Sequence, residues 1–236
     1  MNPATIPLLL GLIASVLLLL AGPGARFDLW EFGTGFQLLR WAAYTGLVAS
    51  ALALVMLLLP RIRRRGLGSL VVALVLGLGV AFVPWSGVRQ ARSVPPIHDI
   101  STDTKRPPEF VAVLPLRANA SNPAEYGGAE IAALQIGAYP DLQTHRMDEA
   151  PAQAFERAQA AARKLGWEIV STDPTAGRIE ATDTTFWFGF KDDVVIRIEP
   201  DAAGSRVDVR SLSRVGGSDV GANAARIRAF LKVLGE

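Results

Sequence analysis

The sequence predicts an α+β domain carried behind three membrane-spanning helices. Three apolar runs, about residues 6–21, 41–59 and 67–85, approach or reach the ~19 residues that cover most of a ~30 Å hydrocarbon core. The second and third contain no charged residue. Beyond them the chain turns polar, and a helix, four strands and a second helix follow in order, the pattern of an antiparallel four-stranded sheet with two helices covering one face. The organisation read from this is a three-span anchor over residues 1–88, a Pro-rich linker over 89–110 and an α+β domain over 111–236.

The first run, Ile6 to Ala21, has Pro7 in its first turn, where a missing N–H does no harm. No Lys or Arg precedes it, which favours a retained span over a cleaved signal peptide. In the second run Ala42, Gly46 and Ser50 recur at four-residue spacing, a small-residue face suited to close packing inside the bundle. Between the second and third runs lies Arg61-Ile62-Arg63-Arg64-Arg65, expected as a short loop. Arginine-rich short loops stay cytoplasmic, because moving guanidinium groups across hydrocarbon is costly. The loop therefore predicts a multi-pass bacterial inner-membrane protein with its C-terminal domain in the periplasm. Trp30, Trp41, Tyr44 and Trp85 would then sit at the outer interface, where amphipathic rings collect.

Charge divides along the same line. Residues 1–94 carry eight arginines against Asp28 and Glu31, and the remainder carries 16 basic against 20 acidic residues, so a chain of net charge +2 has an acidic folded domain. This argues against a nucleic-acid partner, which would need a basic folded face. No cysteine is present, excluding disulfides, thiolate catalysis and zinc–thiolate sites. Only His98 and His145 occur, too few for a His-rich metal centre. No cofactor and no metal is expected.

In the domain, Pro95, Pro96, Pro107 and Pro108 mark extended chain. Pro151 opens a helix behind Asp148-Glu149, apolar residues follow at helical spacing from Ala154 to Leu165, and Gly166 ends it. Four strands are expected at Trp167–Ser171, Arg178–Phe188, Val194–Glu199 and Arg206–Ser213, with a turn at Asp173–Gly177 and a connection at Gly189–Asp193. Alternation sends Ile179, Ala181, Val194, Ile196, Ile198, Val207 and Val209 to the core and Glu180, Arg197, Glu199, Asp208 and Arg210 outward. A last helix is expected from Asp219 to Leu234, with Ala222, Ala225, Ile227, Ala229, Phe230 and Leu234 as its apolar positions.

Several stretches together, Pro95–Asp103, Ala138–Leu142, Ala181–Thr185 with Trp187–Val194, and Ser211–Asp219, resemble the bacterial membrane-anchored family catalogued as domain of unknown function 1499. The resemblance covers about residues 95–234. It implies an export-side or membrane-attached domain and brings no established activity.

Two constellations could carry catalysis. His98-Asp99 with Asp103 offers a general base or metal ligand, against a structural reading in which the carboxylates cap turns. Asp183, Lys191, Asp192 and Asp193 cluster at one hairpin, where carboxylates could share a proton or bind a cation, against ordinary use of Asp in a turn. Arg214, beside Gly216-Gly217 and the last helix, could help hold an anion, although Asp219 can supply its own cap. The most unusual composition is Phe186-Trp187-Phe188-Gly189-Phe190, whose rings cannot all face one core. The expectation is a noncatalytic envelope module in contact with the bilayer and binding a protein, lipid or cell-wall ligand through Trp187, Phe190, Lys191 and Arg214. The alternative is an envelope hydrolase using His98, Asp99, Asp183, Asp192 and Asp193.

Overall fold

The computed structural model describes residues 2–236 and divides into two compact units, the residues up to Gln90 with Phe186–Gly189, and residues 91–185 with 190–236. In the first, α1 (Thr5–Arg26), α2 (Phe32–Leu57) and α3 (Pro60–Ser93) are each long and apolar enough to cross a membrane. Small residues make their contacts. Ala42, Gly46, Ala49, Ser50 and Ala53 of α2 are buried, and a Cβ on Gly46 would lie 2.7 Å from the carbonyl oxygen of Gly77 in α3. Ser50 Oγ donates to the Leu74 carbonyl at 3.3 Å. Apolar surface gives no driving force between helices in lipid, so close backbone approach and such bonds must supply it. The outward Leu, Val and Phe side chains are exposed, as suits lipid contact.

The arginine run is not a loop. Pro60 starts α3, Ile62 and Arg63 donate to the Leu59 carbonyl, and the chain bends at Gly66, whose φ of −143° leaves the helical region. Arg61, Arg63, Arg64 and Arg65 are all exposed on that first turn. At its other end α3 continues to Ser93, so residues 89–93, expected to be extended, are helical.

The second unit is a sheet of six strands rather than four. The expected meander is present as β3 (Glu168–Asp173), β4 (Arg178–Thr184), β5 (Lys191–Asp201) and β6 (Gly204–Ser213), all antiparallel. Along the free edge of β6, β1 (Asp99–Ser101) pairs with residues 210–212 and β2 (His145–Met147) with residues 205–207. Three-residue strands carry too little alternation to be seen in sequence. Between them lies α4 (Gly128–Ala138), whose one buried side chain, Gln135, accepts from the Ser101 N–H and donates to the Ser101 carbonyl. That amide stands where a further strand would pair.

Helices α5 (Pro151–Lys164) and α6 (Ala222–Leu234) cover one face. Phe155, Ala158 and Ala162 of α5 and Ile227, Phe230 and Leu234 of α6 pack on Ile179, Val194, Ile196, Val207 and Val209, with Trp167 stacked 5.4 Å from Phe230. Gly166 ends α5 at φ +78°, and Gly177 turns β3 into β4 at φ +61°. The second face is not solvated. Residues 102–126 lie over it, and a smaller apolar cluster of Phe110, Val113, Val195 and Leu212 forms there. Glu180, Asp208 and Arg210, expected outside, are 1%, 0% and 2% exposed.

Candidate functional site

Of the carboxylates singled out in sequence, Asp99, Asp183, Asp192 and Asp193 lie at one end of the sheet, and each is held by arginine. Asp192 and Asp193 are not in a turn. They begin β5, paired across β4 with Asp183 and Thr182, so their side chains go to opposite faces. On the helix-covered face, Arg226 of α6 donates from Nε to Asp183 at 2.7 Å and from Nη2 to Asp192 at 2.6 Å. Its Nη1 reaches Asn223 Oδ1 and Ser211 Oγ. Asn223 in turn donates to Ser213 Oγ and to the main-chain carbonyl of His98.

On the other face, Asp193 accepts from Arg117 at 2.7 Å, from Arg214 Nε at 2.9 Å and Nη2 at 2.7 Å, and from Thr182 Oγ1 at 2.8 Å. Burial works to raise this carboxyl, but the bonds from Arg214, Thr182 and Arg117 outweigh it and hold it below the usual range. Nearby, Arg210 grips both oxygens of Asp99 at 2.9 and 2.7 Å while its guanidinium lies 4.9 Å from the Phe110 ring and 5.4 Å from the Tyr126 ring. Burial pushes the Asp99 carboxyl up against the pull of Arg210, and it pushes the Tyr126 phenol to about 12.

A third device on this face was not foreseen. Glu180 accepts from three consecutive backbone N–H groups, of Val111, Ala112 and Val113, at 3.0–3.1 Å, and faces Arg178 Nε at 3.2 Å. The N–H groups at the start of the 3-10 turn Leu114–Arg117 thus converge on an internal carboxylate. Further along, Asp103, Glu199 and Asp208 interleave with Arg106, Arg197 and Arg206.

The remaining candidates separate. His98 offers its main-chain carbonyl to Ser213 N–H and Asn223, and its Nδ1 is buried without a hydrogen-bond partner. Asp219 accepts from the Gly221 and Asn223 N–H groups at 2.8 Å, capping α6, and burial raises its carboxyl. Lys191 is exposed at the start of β5, and Phe190 N–H donates to Thr185 Oγ1. Trp187 and Phe188 belong to the first unit, where a Cβ on Gly22 would strike the Trp187 indole and Phe188 lies 5.1 Å from Phe36. Trp187 thus packs against Gly22 of α1 and stays partly accessible.

The chemistry available to such a site is limited. A carboxylate whose lone pairs are taken by guanidinium groups serves poorly as proton acceptor or metal ligand. Among the described residues no group of three or more His, Asp or Glu is placed to hold a metal ion. Arg117, Arg226 and Asn223 were missed in sequence. The one available signal was that Asn223 and Arg226 interrupt the stripe continued by Ile227, Phe230 and Leu234.

No curated protein matches the chain at a significant level. The model of a family described as protein of unknown function, DUF1499, matches residues 99–234, more than half of the chain, and the chain belongs to that family.

Proposed function

We propose that this is an integral protein of the bacterial inner membrane whose C-terminal domain lies in the periplasm and serves the envelope as a noncatalytic binding or interaction module. The observation that carries the noncatalytic reading is the arginine pairing of Asp99, Asp183, Asp192 and Asp193. Four carboxylates so held organise a fold; they do not turn over a substrate. The orientation rests on the four exposed arginines at the start of α3. For the interaction surface, the domain has an open cleft of about 600 Å³ lined by Thr102–Lys105, Gln143, Thr144 and Arg146 together with Ile136 and Leu142. Hydroxyl, amide and cationic groups beside apolar surface suit a polar envelope ligand.

Topology is the first test. Alkaline phosphatase fused after Glu236 is expected to be active in whole cells, and a cytoplasmic reporter at the same position silent. Replacing Arg61, Arg63, Arg64 and Arg65 with Ala should weaken that preference. An inactive phosphatase beside an active cytoplasmic reporter would overturn the proposal.

A further inference from the structure

The turn of the β4–β5 hairpin, Phe186–Gly189, groups with the helices of the first unit. Its rings are used unequally. Trp187 and Phe188 pack on α1 and α2 residues, whereas Phe186 is 91% exposed. The Phe186 carbonyl accepts from Arg26 Nη1 at 2.6 Å, and the same guanidinium lies 5.9 Å from the Phe186 ring. A phenylalanine fixed by its backbone with its ring turned outward presents apolar surface that lipid would cover more favourably than water.

What surrounds it follows from the same unit. Gly22, under Trp187, is one helical turn before Arg26, the last residue of α1, so the turn lies within ~6 Å of that helix end along its axis. Phe27 and Leu29, just beyond that end, are 70% and 72% exposed, with Trp30 half-buried beside them and Phe32 at the start of α2 exposed. Such a belt sits where hydrocarbon meets headgroups. Arg26 can keep its charge among headgroups while its stem lies along apolar surface and its guanidinium satisfies a carbonyl otherwise costly at that depth.

We propose that Phe186 inserts into the leaflet in which α1 ends, making the hairpin turn a non-helical, interfacial membrane anchor whose partner is bilayer lipid. This rests on the reading of α1, α2 and α3 as membrane spans. Because the chain has no cysteine, one can be placed at will. Phe186→Cys and, separately, Val48→Cys on the exposed face of α2 are labelled with a nitroxide in the full-length protein, in phosphatidylethanolamine–phosphatidylglycerol vesicles. Collisions with oxygen are compared with collisions with a nickel chelate, using free label in buffer as reference. At both positions oxygen is expected to outweigh the chelate. A lipid-like signal at 48 with a water-like signal at 186 overturns the anchor alone. A water-like signal at 48 overturns the spanning reading with it. A label at 186 shielded from both reagents also refutes the anchor, since the turn would then be buried in protein.

Discussion

Asp193→Asn is the sharpest perturbation of the second sheet face. The substitution keeps the shape of a fully buried side chain but leaves Arg117 and Arg214 without their shared anion, and it turns an NH₂ group toward cations. Removing one partner of a buried ion pair costs ~3–5 kcal/mol, chiefly because the other charge is left uncompensated. In a domain of this size that is a fall of about 10–20 °C in Tm. The assay is thermal unfolding of the full-length protein in detergent, followed through Trp167, which stacks on Phe230 in the core, with the other tryptophans replaced by Phe. The pH dependence has a definite sign. The Asp193 carboxyl is held below its usual value, so its contribution is present above the unfolded value and is lost as pH falls through the folded one. The gap between parent and variant should therefore narrow below about pH 4. Adding Arg117→Met and Arg214→Met should recover part of the loss, because the unpaired cations go too. A loss under ~1 kcal/mol, or a gap independent of acid, would refute the reasoning.

Two further outcomes follow from single contacts. Glu180→Gln should cost about 2 kcal/mol, the range for bonds to a charged group, and hydrogen exchange should speed up at Val111, Ala112 and Val113 while the β5–β6 ladder keeps its protection. Gly177→Ala should destabilise by ~1–3 kcal/mol in urea titration, since a Cβ at φ +61° would also collide with the Ile198 carbonyl; an unchanged midpoint would mean the turn is not as described.

Much of the fold was legible where periodicity ran long enough. The three apolar helices, the β3–β6 meander and α5 all follow from patterns sustained over several turns or residues. The sheet's second face was not legible, for a physical reason. Alternation places Glu180, Asp208 and Arg210 opposite the apolar residues, and charged groups opposite a core ordinarily meet water. Here an aperiodic segment, residues 102–126, covers them, and nothing in the strands' own pattern announces a cover supplied by irregular chain. In α6 the error was smaller but of the same kind. Ala225 and Ala229, expected at apolar positions, are exposed, while Asn223 and Arg226 are buried, because the interior there is polar. The carboxylates can be read off the sequence by residue type, but their pairing with the arginines at residues 117, 210, 214 and 226 cannot, since these meet them only through the fold.

The pairing at the end of the β4–β5 hairpin also explains why two adjacent aspartates suit this position. A one-residue slip would exchange Asp192 and Asp193 between faces, presenting each to the other's partners and turning Val194 out of the core. Arg226 can satisfy Asp192 with Asp183 only on the helix side, and Arg117 with Arg214 can satisfy Asp193 only on the other. Buried ion pairs add little net stability over apolar packing of the same volume. Their geometric demand is much stricter, because the guanidinium fork accepts a carboxylate only in narrow orientations. The two rungs just before the last, Asp183 with Asp192 and Thr182 with Asp193, are therefore fixed in register from both faces at once. A hairpin held this way keeps its direction up to the turn, as an aromatic anchor at residues 186–188 would require.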